Sequence, residues 1–229
     1  MKGERINMKT IIKRLTPTAL FFFIIAVALP NTASAATRYV NPAGGLDPNG
    51  LPYFLTIQAA INAASNGDTI EVAAGIYHEE LLITKPLIIN GEDNAVLDGS
   101  TLGSKKVGVK IKSGNVTFNN IDVANFSGNG IIVGYEAPIP GSLLNVHITN
   151  CMIANIQPGY LHGFGIYVGY EAEAFKYVPP ALTSFLDYSG LLIENNEIKN
   201  TRSSALVLQS IIGISGQLVV ENNNIGVCT

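Results

Sequence analysis

Short runs of alternating apolar and polar residues dominate the chain after residue 115, and these runs recur around one phrase. Each copy has apolar residues at every second position, then an asparagine, two further residues and another apolar residue. A period of two is typical of a β-strand that buries one face. The four copies occupy Val116–Val123, Val146–Ile153, Leu191–Ile198 and Leu218–Ile225.

The asparagines of the four copies share one register but are unequally spaced. Asn120, Asn150, Asn195 and Asn222 lie 30, 45 and 27 residues apart, which indicates one repeated supersecondary unit with loops of variable length. A single unit cannot bury its apolar face, whereas units stacked about 4.8 Å apart form one continuous core. The pattern therefore predicts an all-β solenoid in which residues at equivalent positions lie above one another.

The same stacking assigns these four asparagines a structural role. A buried amide without a hydrogen-bond partner costs about 1–3 kcal/mol, and a column of stacked amides avoids this cost by bonding to the coils above and below. Asparagine also tolerates the left-handed backbone of a tight bend. We therefore predict that Asn120, Asn150, Asn195 and Asn222 form a structural ladder at a bend and take no part in catalysis.

A helix is predicted before the repeats, over residues 56–65. Thr56 is a residue type that favours the N-cap position. The apolar residues behind it follow the spacing of one helix face, and they are Ile57, Ala60, Ile61 and Ala64. From Thr69 onward the period changes to two, in strands of three to five residues separated by glycine and asparagine turns.

The first 35 residues have the three parts of a secretory signal peptide. Five lysine and arginine residues precede an apolar run of about 11 residues, and Ala33-Ser34-Ala35 supplies the small residues that signal peptidase reads. The apolar run is too short to span a bilayer, which needs roughly 20 residues. We predict cleavage before Ala36, a mature domain of residues 36–229, and a secreted protein in the extracellular space, the periplasm or at the cell surface.

The charge of the chain narrows the choice of partners. The full chain has a formal net charge of −3, and without residues 1–35 it holds 9 basic against 16 acidic residues, a net charge of −7. Such a surface repels polyanions over a Debye length of about 8 Å. This argues against nucleic acid and anionic membranes as partners, and against acidic polysaccharides unless a divalent cation bridges the two.

The two cysteines, Cys151 and Cys228, are 77 residues apart. Export would permit a disulfide, but in the repeats the two cysteines occupy different positions, two copies apart. Their Cα atoms are therefore expected to lie beyond the roughly 7 Å limit for a disulfide. We predict two unpaired, half-buried thiols.

One known superfamily combines these features. Thr56–Ile61, Gly67–Val72, Gly75-Ile76-Tyr77 and Glu79 resemble the opening of the pectin-lyase-like right-handed parallel β-helix superfamily, and the asparagine-bearing copies resemble its PbH1-type repeats. The resemblance implies a single-stranded right-handed parallel β-helix whose N-terminal end is covered by an amphipathic helix. It leaves the activity open, because lyases, hydrolases, esterases, adhesins and surface-layer proteins share this fold.

A second repeated phrase supplies the candidate binding site. Gly130–Ala137 recurs as Gly165–Ala172, and both copies end in Tyr-Glu-Ala before a loop, of which the longer is an insertion over residues 171–189. Stacked coils would place the two tyrosines side by side and the two glutamates side by side. Binding residues of solenoids tend to come from such insertions. The candidate carbohydrate-binding residues are Tyr135, Glu136, Tyr170, Glu171, Glu173 and Tyr177.

Three interpretations of this Tyr/Glu surface are open. Aromatic rings stack on sugar rings while carboxylates bind sugar hydroxyls, which suits a carbohydrate chain. Carboxylates are alternatively ligands for Ca²⁺, which takes six to eight oxygens; the candidates are Glu136, Glu171, Glu173 and Asp187, and no other metal or cofactor is predicted. The third interpretation is a plain, internally duplicated loop exit whose tyrosines pack on the neighbouring coil.

The sequence contains no catalytic constellation that can be assigned, so whether the protein is an enzyme stays open. Carboxylate pairs hydrolyse glycosides when held about 5–9.5 Å apart, but the Asp-rich clusters of β-helix polygalacturonases and the later Asp-bearing motifs of pectin methylesterases are absent. A lyase would need a basic residue, for which Lys110, Lys112 and Arg202 qualify by type alone. His162 lies on a predicted loop, and no zinc-binding spacing, phosphate-binding loop or nucleophile elbow is present.

The fourth copy ends close to Thr229 without a polar capping element, and an uncovered coil exposes unpaired strand edges. We therefore expect a longer parent chain or end-to-end self-association. The functional expectation is an exported β-helix that binds, or processes, carbohydrate along one flank. The alternatives are a structural surface or adhesion module without enzymatic activity, and a polysaccharide lyase or glycoside hydrolase whose catalytic coils lie outside this chain or in the 171–189 loop.

Overall fold

The computed structural model describes residues 34–104, 106–135, 143–157, 163–171, 188–208 and 218–226, with the backbone alone at positions 135, 170 and 171. Most of the predicted signal peptide, most of the 171–189 insertion and Cys228 therefore lie outside the described residues. Within the described ranges, no helix is long and apolar enough to cross a membrane.

Eighteen short strands form three sheets in the described part of the chain. The first sheet contains β1 (Thr37–Val40), β2 (Thr69–Val72), β5 (Leu87–Gly91), β8 (Val116–Asn119), β11 (Val146–Thr149), β14 (Leu192–Glu194) and β17 (Val219–Glu221). The second contains β3 (Gly75–Tyr77), β6 (Ala95–Asp98), β9 (Asp122–Ala124), β12 (Met152–Ile156), β15 (Glu197–Thr201) and β18 (Asn224–Ile225). The third contains β4 (Leu81–Ile83), β7 (Val109–Ile111), β10 (Ile131–Tyr135), β13 (Ile166–Glu171) and β16 (Leu206–Leu208).

Successive strands visit the three sheets in a fixed order. From β2 onward the chain passes through the first, second and third sheets and then returns to the first, so each coil adds one strand to each sheet. The pairings between neighbouring strands within these sheets are parallel. The predicted fold class, a right-handed parallel β-helix with a short N-terminal helix, is confirmed.

Alternate side chains of the strands fill one continuous apolar core. In the first sheet Ile89 stacks on Phe118 and Phe118 stacks on Ile148, and all three are fully buried. Because each coil places its apolar side chains directly on those of the preceding coil, the apolar face of one coil is buried only when the next coil is folded. The period-two alternation of the sequence decides which residues face inward.

The one helix of the described residues, α1 (Ile57–Ala63), packs against β1, β2 and β4. Thr56 is its N-cap, and the Thr56 Oγ1 accepts a hydrogen bond from the N–H of Ala59 at 3.2 Å. The predicted apolar stripe is buried against the coil. Local capping chemistry and helical spacing thus account for this element.

Glu79 provides a second cap for α1. Its Oε1 accepts a hydrogen bond from the Ile57 N–H at 2.7 Å, and its Oε2 accepts one from the Gln58 N–H at 2.9 Å. The first N–H groups of a helix have no partner within the helix. Half-buried Glu79 therefore has a structural role, attaching the helix to the turn after β3.

Replacing Glu79 with alanine is expected to lower the free energy of unfolding by about 2 kcal/mol, because two helix N–H groups lose charge-assisted bonds. Glu79→Gln keeps an acceptor oxygen and should cost less. Urea denaturation measures both changes. The matched control is Glu221→Ala at an exposed strand position, which should change the free energy by less than about 0.5 kcal/mol. Equal effects of Glu79→Ala and Glu221→Ala would contradict the capping role.

The four predicted ladder asparagines occupy one column, but this column is not buried. All four have a left-handed backbone, with φ between +54° and +56°, as the bend requires. Asn150, Asn195 and Asn222 are exposed, however, because the side chain at the bend points to solvent. The Nδ2 of Asn150 donates to Asn119 Oδ1 at 2.7 Å and the Nδ2 of Asn222 to Glu194 Oε1 at 3.4 Å. Asn150 and Asn222 thus bond to side chains of the preceding coil, and the Nδ2 of Asn120 donates to the Gly91 carbonyl at 2.9 Å and to Asp93 Oδ1 at 3.2 Å.

A ladder of amides lies instead along the C-terminal ends of the strands of the second sheet. The Nδ2 of Asn200 donates to Asn155 Oδ1 at 3.1 Å, and the Nδ2 of Asn155 donates to Asn125 Oδ1 at 3.1 Å. Asn125 in turn donates to Asp98 Oδ1 at 2.8 Å. The three asparagines have φ between +52° and +61°. Stacked amides with a left-handed backbone therefore occur at the bend after the second sheet, which is the next bend along each coil.

One fully buried amide belongs to Asn196, one residue beyond a predicted ladder position, and a second belongs to Asn129. The Asn196 side chain is 1% exposed. Its Oδ1 accepts the Cys151 N–H at 3.0 Å, and its Nδ2 donates to the Ile148 carbonyl at 3.0 Å and to Asn223 Oδ1 at 3.0 Å. This one side chain therefore connects three successive coils.

Cys151 is a free thiol, as predicted, but it is 2% exposed rather than half-buried. Its Sγ donates to the Thr149 carbonyl at 3.1 Å. Burial raises the pKa of the Cys151 thiol to about 12. Reactive cysteines need an accessible thiolate, so Cys151 is a core side chain. Cys228 lies outside the described residues.

Candidate functional site

The outer face of the third sheet is the candidate functional site, because both Tyr-Glu strand ends belong to this sheet. In each strand one middle side chain points away from the core, and the strand register stacks these positions in one row. With strands about 4.8 Å apart, the row is roughly 19 Å long. We call it the third-sheet face, and its members are Leu82, Lys110, Ile132, Tyr167 and Val207.

One end of the third-sheet face is charged. The Oε2 of Glu80 accepts a hydrogen bond from Lys106 Nζ at 2.7 Å, and its Oε1 accepts one from Lys110 Nζ at 3.2 Å. Burial alone would raise the pKa of Glu80, but the bonds from these lysines and from the Val107 N–H hold that pKa below its usual value. The Lys106 side chain is 38% exposed and that of Lys110 is 20% exposed. The carboxylate thus fixes two cationic donors on partly exposed side chains.

The other end of the third-sheet face is apolar and largely covered. Ile132 is 0% and Tyr167 is 6% exposed although both point away from the core of the coil. The Phe164 ring stacks on the Tyr167 ring, with the ring centroids 5.6 Å apart and an interplanar angle of 15°. Phe164 and Val207 are half-buried. The accessible apolar surface at this end therefore belongs to Phe164 and Val207.

The two Tyr-Glu strand ends are neighbours, but in a different register from the one that the repeats predict. β10 and β13 pair from Ile131–Ile166 to Val133–Val168 and then shift, so that Tyr135 pairs with Glu171. The prediction that the two tyrosines pair directly is therefore wrong. Gly134, with φ of +102°, lies at this irregularity, and an irregularity of this kind redirects the strand end that follows it.

Most of the remaining predicted ligands lie outside the described residues. These are Glu136, Glu173, Tyr177, Asp187 and His162, and the side chains of Tyr135, Tyr170 and Glu171 are also not described. Among the residues that the structure does describe, no group of three or more His, Cys, Asp or Glu side chains could hold a metal ion. The Ca²⁺ interpretation depends on residues outside this part and stays a prediction.

The basic residues proposed by type for a lyase do not converge. Lys110 lies in β7 and is ion-paired with Glu80, whereas exposed Arg202 follows β15, three coils away. At about 4.8 Å per coil, this separation is roughly 14 Å. His78 Nδ1 is 3.4 Å from Asp98 Oδ2, at the bend between the second and third sheets. These positions belong to different coils or to a different side of the β-helix.

The predicted site residues do not include Glu80, Lys106 or the stacked pair of Phe164 and Tyr167. Part of the signal is present in the sequence, because Lys110 and Tyr167 each stand between two apolar residues of a strand. That pattern identifies them as outward-facing. It does not show that Glu80 lies beside Lys110, 30 residues away, because this depends on the number of residues that each coil contains.

No protein-family model and no curated protein matches the chain. It is similar to two crystal structures of pectin methylesterase from Aspergillus niger, one of the penultimately deglycosylated and one of the deglycosylated form. The sequence identity is 14% in both, over 85% of this chain and 87% and 85% of those chains, with TM-scores of 0.40 and 0.39.

Proposed function

We propose that this protein binds a neutral carbohydrate chain along the outer face of the third sheet. The proposal rests on one observation: β10 and β13 are adjacent, so two strand ends with the same Tyr-Glu sequence emerge side by side. Internal duplication of a surface phrase in neighbouring coils suits a ligand that is itself a repeating polymer. Matching strand ends on successive coils suit an extended chain better than a single small molecule.

The chemistry of the third-sheet face supports a sugar ligand. Sugar rings have apolar faces that pack on aromatic rings and hydroxyl groups that need directed hydrogen bonds. Tyr135 and Tyr170 stand at the ends of β10 and β13, and half-buried Phe164, which precedes β13 and stacks on Tyr167, supplies apolar surface on the same sheet. Lys106 and Lys110, held by Glu80, supply donors at the other end.

The charge of the chain favours a neutral polymer over an acidic one. The domain after residue 35 has a formal net charge of −7, and an acidic surface repels a polyanion at moderate ionic strength. The ammonium groups of Lys106 and Lys110, at one end of the third-sheet face, are too few to overcome the repulsion of a polyanion. An acidic polysaccharide is therefore expected to bind only in the presence of a divalent cation.

Binding to a glycan array and then to the retained glycan in solution tests the proposal. The double variant Tyr135→Ala/Tyr170→Ala is expected to bind at least tenfold more weakly, which corresponds to about 1.4 kcal/mol, because both stacking rings are lost. The double variant Tyr135→Phe/Tyr170→Phe keeps the rings and should retain most of the affinity. Tyr39→Ala, on the half-buried outer face of the first sheet, is the matched control and should leave the affinity unchanged.

The same experiment separates the alternatives. A wild-type protein that retains no neutral glycan at millimolar concentration overturns the proposal and favours the structural or adhesion module. Equal loss of affinity in Tyr39→Ala and in the double alanine variant removes the third sheet as the binding face. Release of reducing or unsaturated sugar ends from the retained glycan would show that the protein also processes it, as a hydrolase or a lyase.

A further inference from the structure

Asp68 is a buried acidic side chain that the proposed function does not use. Its side chain is 3% exposed, and it lies in the turn between α1 and β2. Its Oδ2 accepts hydrogen bonds from the Ser65 N–H at 2.8 Å and from the Arg38 guanidinium at 3.1 Å. Its Oδ1 accepts a hydrogen bond from the main-chain nitrogen of Ala36 at 2.9 Å. The last contact places a carboxylate at the nitrogen that follows the predicted cleavage site.

The position of Ala36 is set by the fold as well as by this contact. The Thr69 N–H donates to the Ala36 carbonyl at 2.9 Å, and the next residue, Thr37, begins the register of β1 with β2. Ala36 is therefore the residue at which the β-helix begins to pair. Ser34 and Ala35, just before it, are exposed. A chain that starts at Ala36 thus keeps all the described pairing of β1.

We infer that the carboxylate of Asp68 is a built-in binding site for the α-ammonium group that cleavage between Ala35 and Ala36 creates. Hydrolysis of that peptide bond adds one water, leaves a carboxylate on Ala35 and a protonated amine on Ala36. The amine nitrogen is the atom that already lies 2.9 Å from Asp68 Oδ1. A hydrogen bond from a neutral amide N–H to the carboxylate in the precursor becomes an ion pair between an ammonium group and the carboxylate in the mature chain. The inference rests on the cleavage motif and on this geometry, and is independent of carbohydrate binding.

Arg38 from β1 is the charged group that contacts Asp68, and Lys85, from the turn before β5, binds the C-terminal end of α1. The Lys85 ammonium donates to the Ala64 carbonyl at 2.7 Å at the end of α1, and Arg38 contacts the other Asp68 oxygen. Burial would raise the pKa of Asp68, but the hydrogen bonds from Ala36, Ser65 and Arg38 hold it below its usual value. The carboxylate is therefore ionised at neutral pH and able to bind the new ammonium group.

The pH dependence of the ion pair follows from the direction in which folding shifts the pKa of Asp68 and the pKa of the Ala36 amine. Asp68 has a lowered pKa in the folded protein. Its contribution to stability is therefore present when the pH is above the pKa of the unfolded state, and it is lost as the pH falls through the pKa of the folded state. An α-amine that gains an anionic partner has a raised pKa. The contribution of the amine to stability is complete when the pH is below its pKa in the unfolded state, about 7.7–8.0, and it is lost as the pH rises through its pKa in the folded state. The extra stability of the mature chain is therefore expected near pH 6 and should fade at alkaline pH.

The first test is the N-terminus of the exported protein. The full chain is expressed in a host that exports it, and the intact mass is measured. The expected mass is that of residues 36–229, with a free amine. A mature protein that begins at another residue, or that retains residues 1–35, overturns the inference.

The second test compares the exported protein with a form that keeps Ser34 and Ala35, each with and without Asp68→Asn. At pH 6, Asp68→Asn is expected to lower the folding equilibrium constant by roughly fivefold more in the Ala36 form than in the extended form, because only the former loses an ion pair. Glu221→Gln, at an exposed position, should affect both forms equally. An equal effect of Asp68→Asn on both forms overturns the inference.

A third measurement decides the case even if Asp68→Asn fails to fold. The Ala36 amine is acylated at pH 8 in the native wild-type protein and in urea, and the modified N-terminal peptide is quantified. Because Ala36 itself is exposed, pairing with Asp68 is expected to slow acylation at least fivefold in the native protein. Equal rates in the native and unfolded protein contradict the ion pair.

Discussion

Replacing Asn196 with alanine is expected to lower the free energy of unfolding by about 3 kcal/mol. The substitution leaves the buried Cys151 N–H and the Ile148 carbonyl without their side-chain partner, and each unsatisfied buried group costs about 1–3 kcal/mol. It also removes the contact with Asn223 Oδ1 in the next coil. Equilibrium urea denaturation followed by far-UV circular dichroism measures the change.

The neighbouring residue provides the control for Asn196→Ala. Asn195 has φ of +55° and an exposed side chain, so Asn195→Gly preserves the left-handed backbone and removes only a solvated amide. It should change the free energy of unfolding by less than about 0.5 kcal/mol. If Asn195→Gly were the more damaging of the two, the assignment of the buried amide to Asn196 would be wrong.

Replacing Gly130 with alanine is expected to lower the free energy of unfolding by about 3 kcal/mol, at the upper end of the range for overpacked cores. A Cβ at Gly130 would lie 2.5 Å from the Gly165 carbonyl oxygen and 2.7 Å from Ile153 Cγ2. The first contact is with the backbone of the next coil, which cannot move without breaking the register of β10 and β13. Urea denaturation measures the loss, and glycan binding by the fraction that remains folded shows whether the site depends on this register.

Gly103 is the control for the glycine substitution, because it separates steric collision from backbone strain. Its φ is +82° and a Cβ there would meet nothing within 4 Å. Gly103→Ala should therefore cost only about 1 kcal/mol, from the left-handed backbone. Equal losses for Gly130→Ala and Gly103→Ala would show that the coils can separate to accept a side chain.

Both predictions concern contacts between coils, and the same contacts build the candidate site. Glu80 meets Lys106 and Lys110 only because consecutive coils are in register. The shift at Gly134 moves Tyr135 opposite Glu171. The positions of the binding residues on a β-helix therefore depend on the register of its coils. A variant that disturbs this register should weaken binding even when the substituted residue does not contact the ligand.

The sequence by itself determined the elements and the fold class. The period-two alternation identified the inward residues of the strands, and Thr56 with its apolar stripe identified the helix. The fixed phrase with variable spacing identified coils with loops of different length. These features depend on residues close together in the chain, where backbone geometry and side-chain spacing decide the outcome.

Only the tertiary structure decided which residues meet across coils. The repeats aligned Asn195 with its counterparts, yet in that coil the neighbouring Asn196 is the buried amide, and Tyr135 pairs with Glu171 rather than with Tyr170. Glu79 caps a helix 21 residues away, and Asp68 binds the nitrogen of Ala36 across 32 residues. The physical reason is that contacts between coils depend on bulges, bend geometry and the length of each coil, and a one-residue shift at a bend moves a side chain between core and solvent.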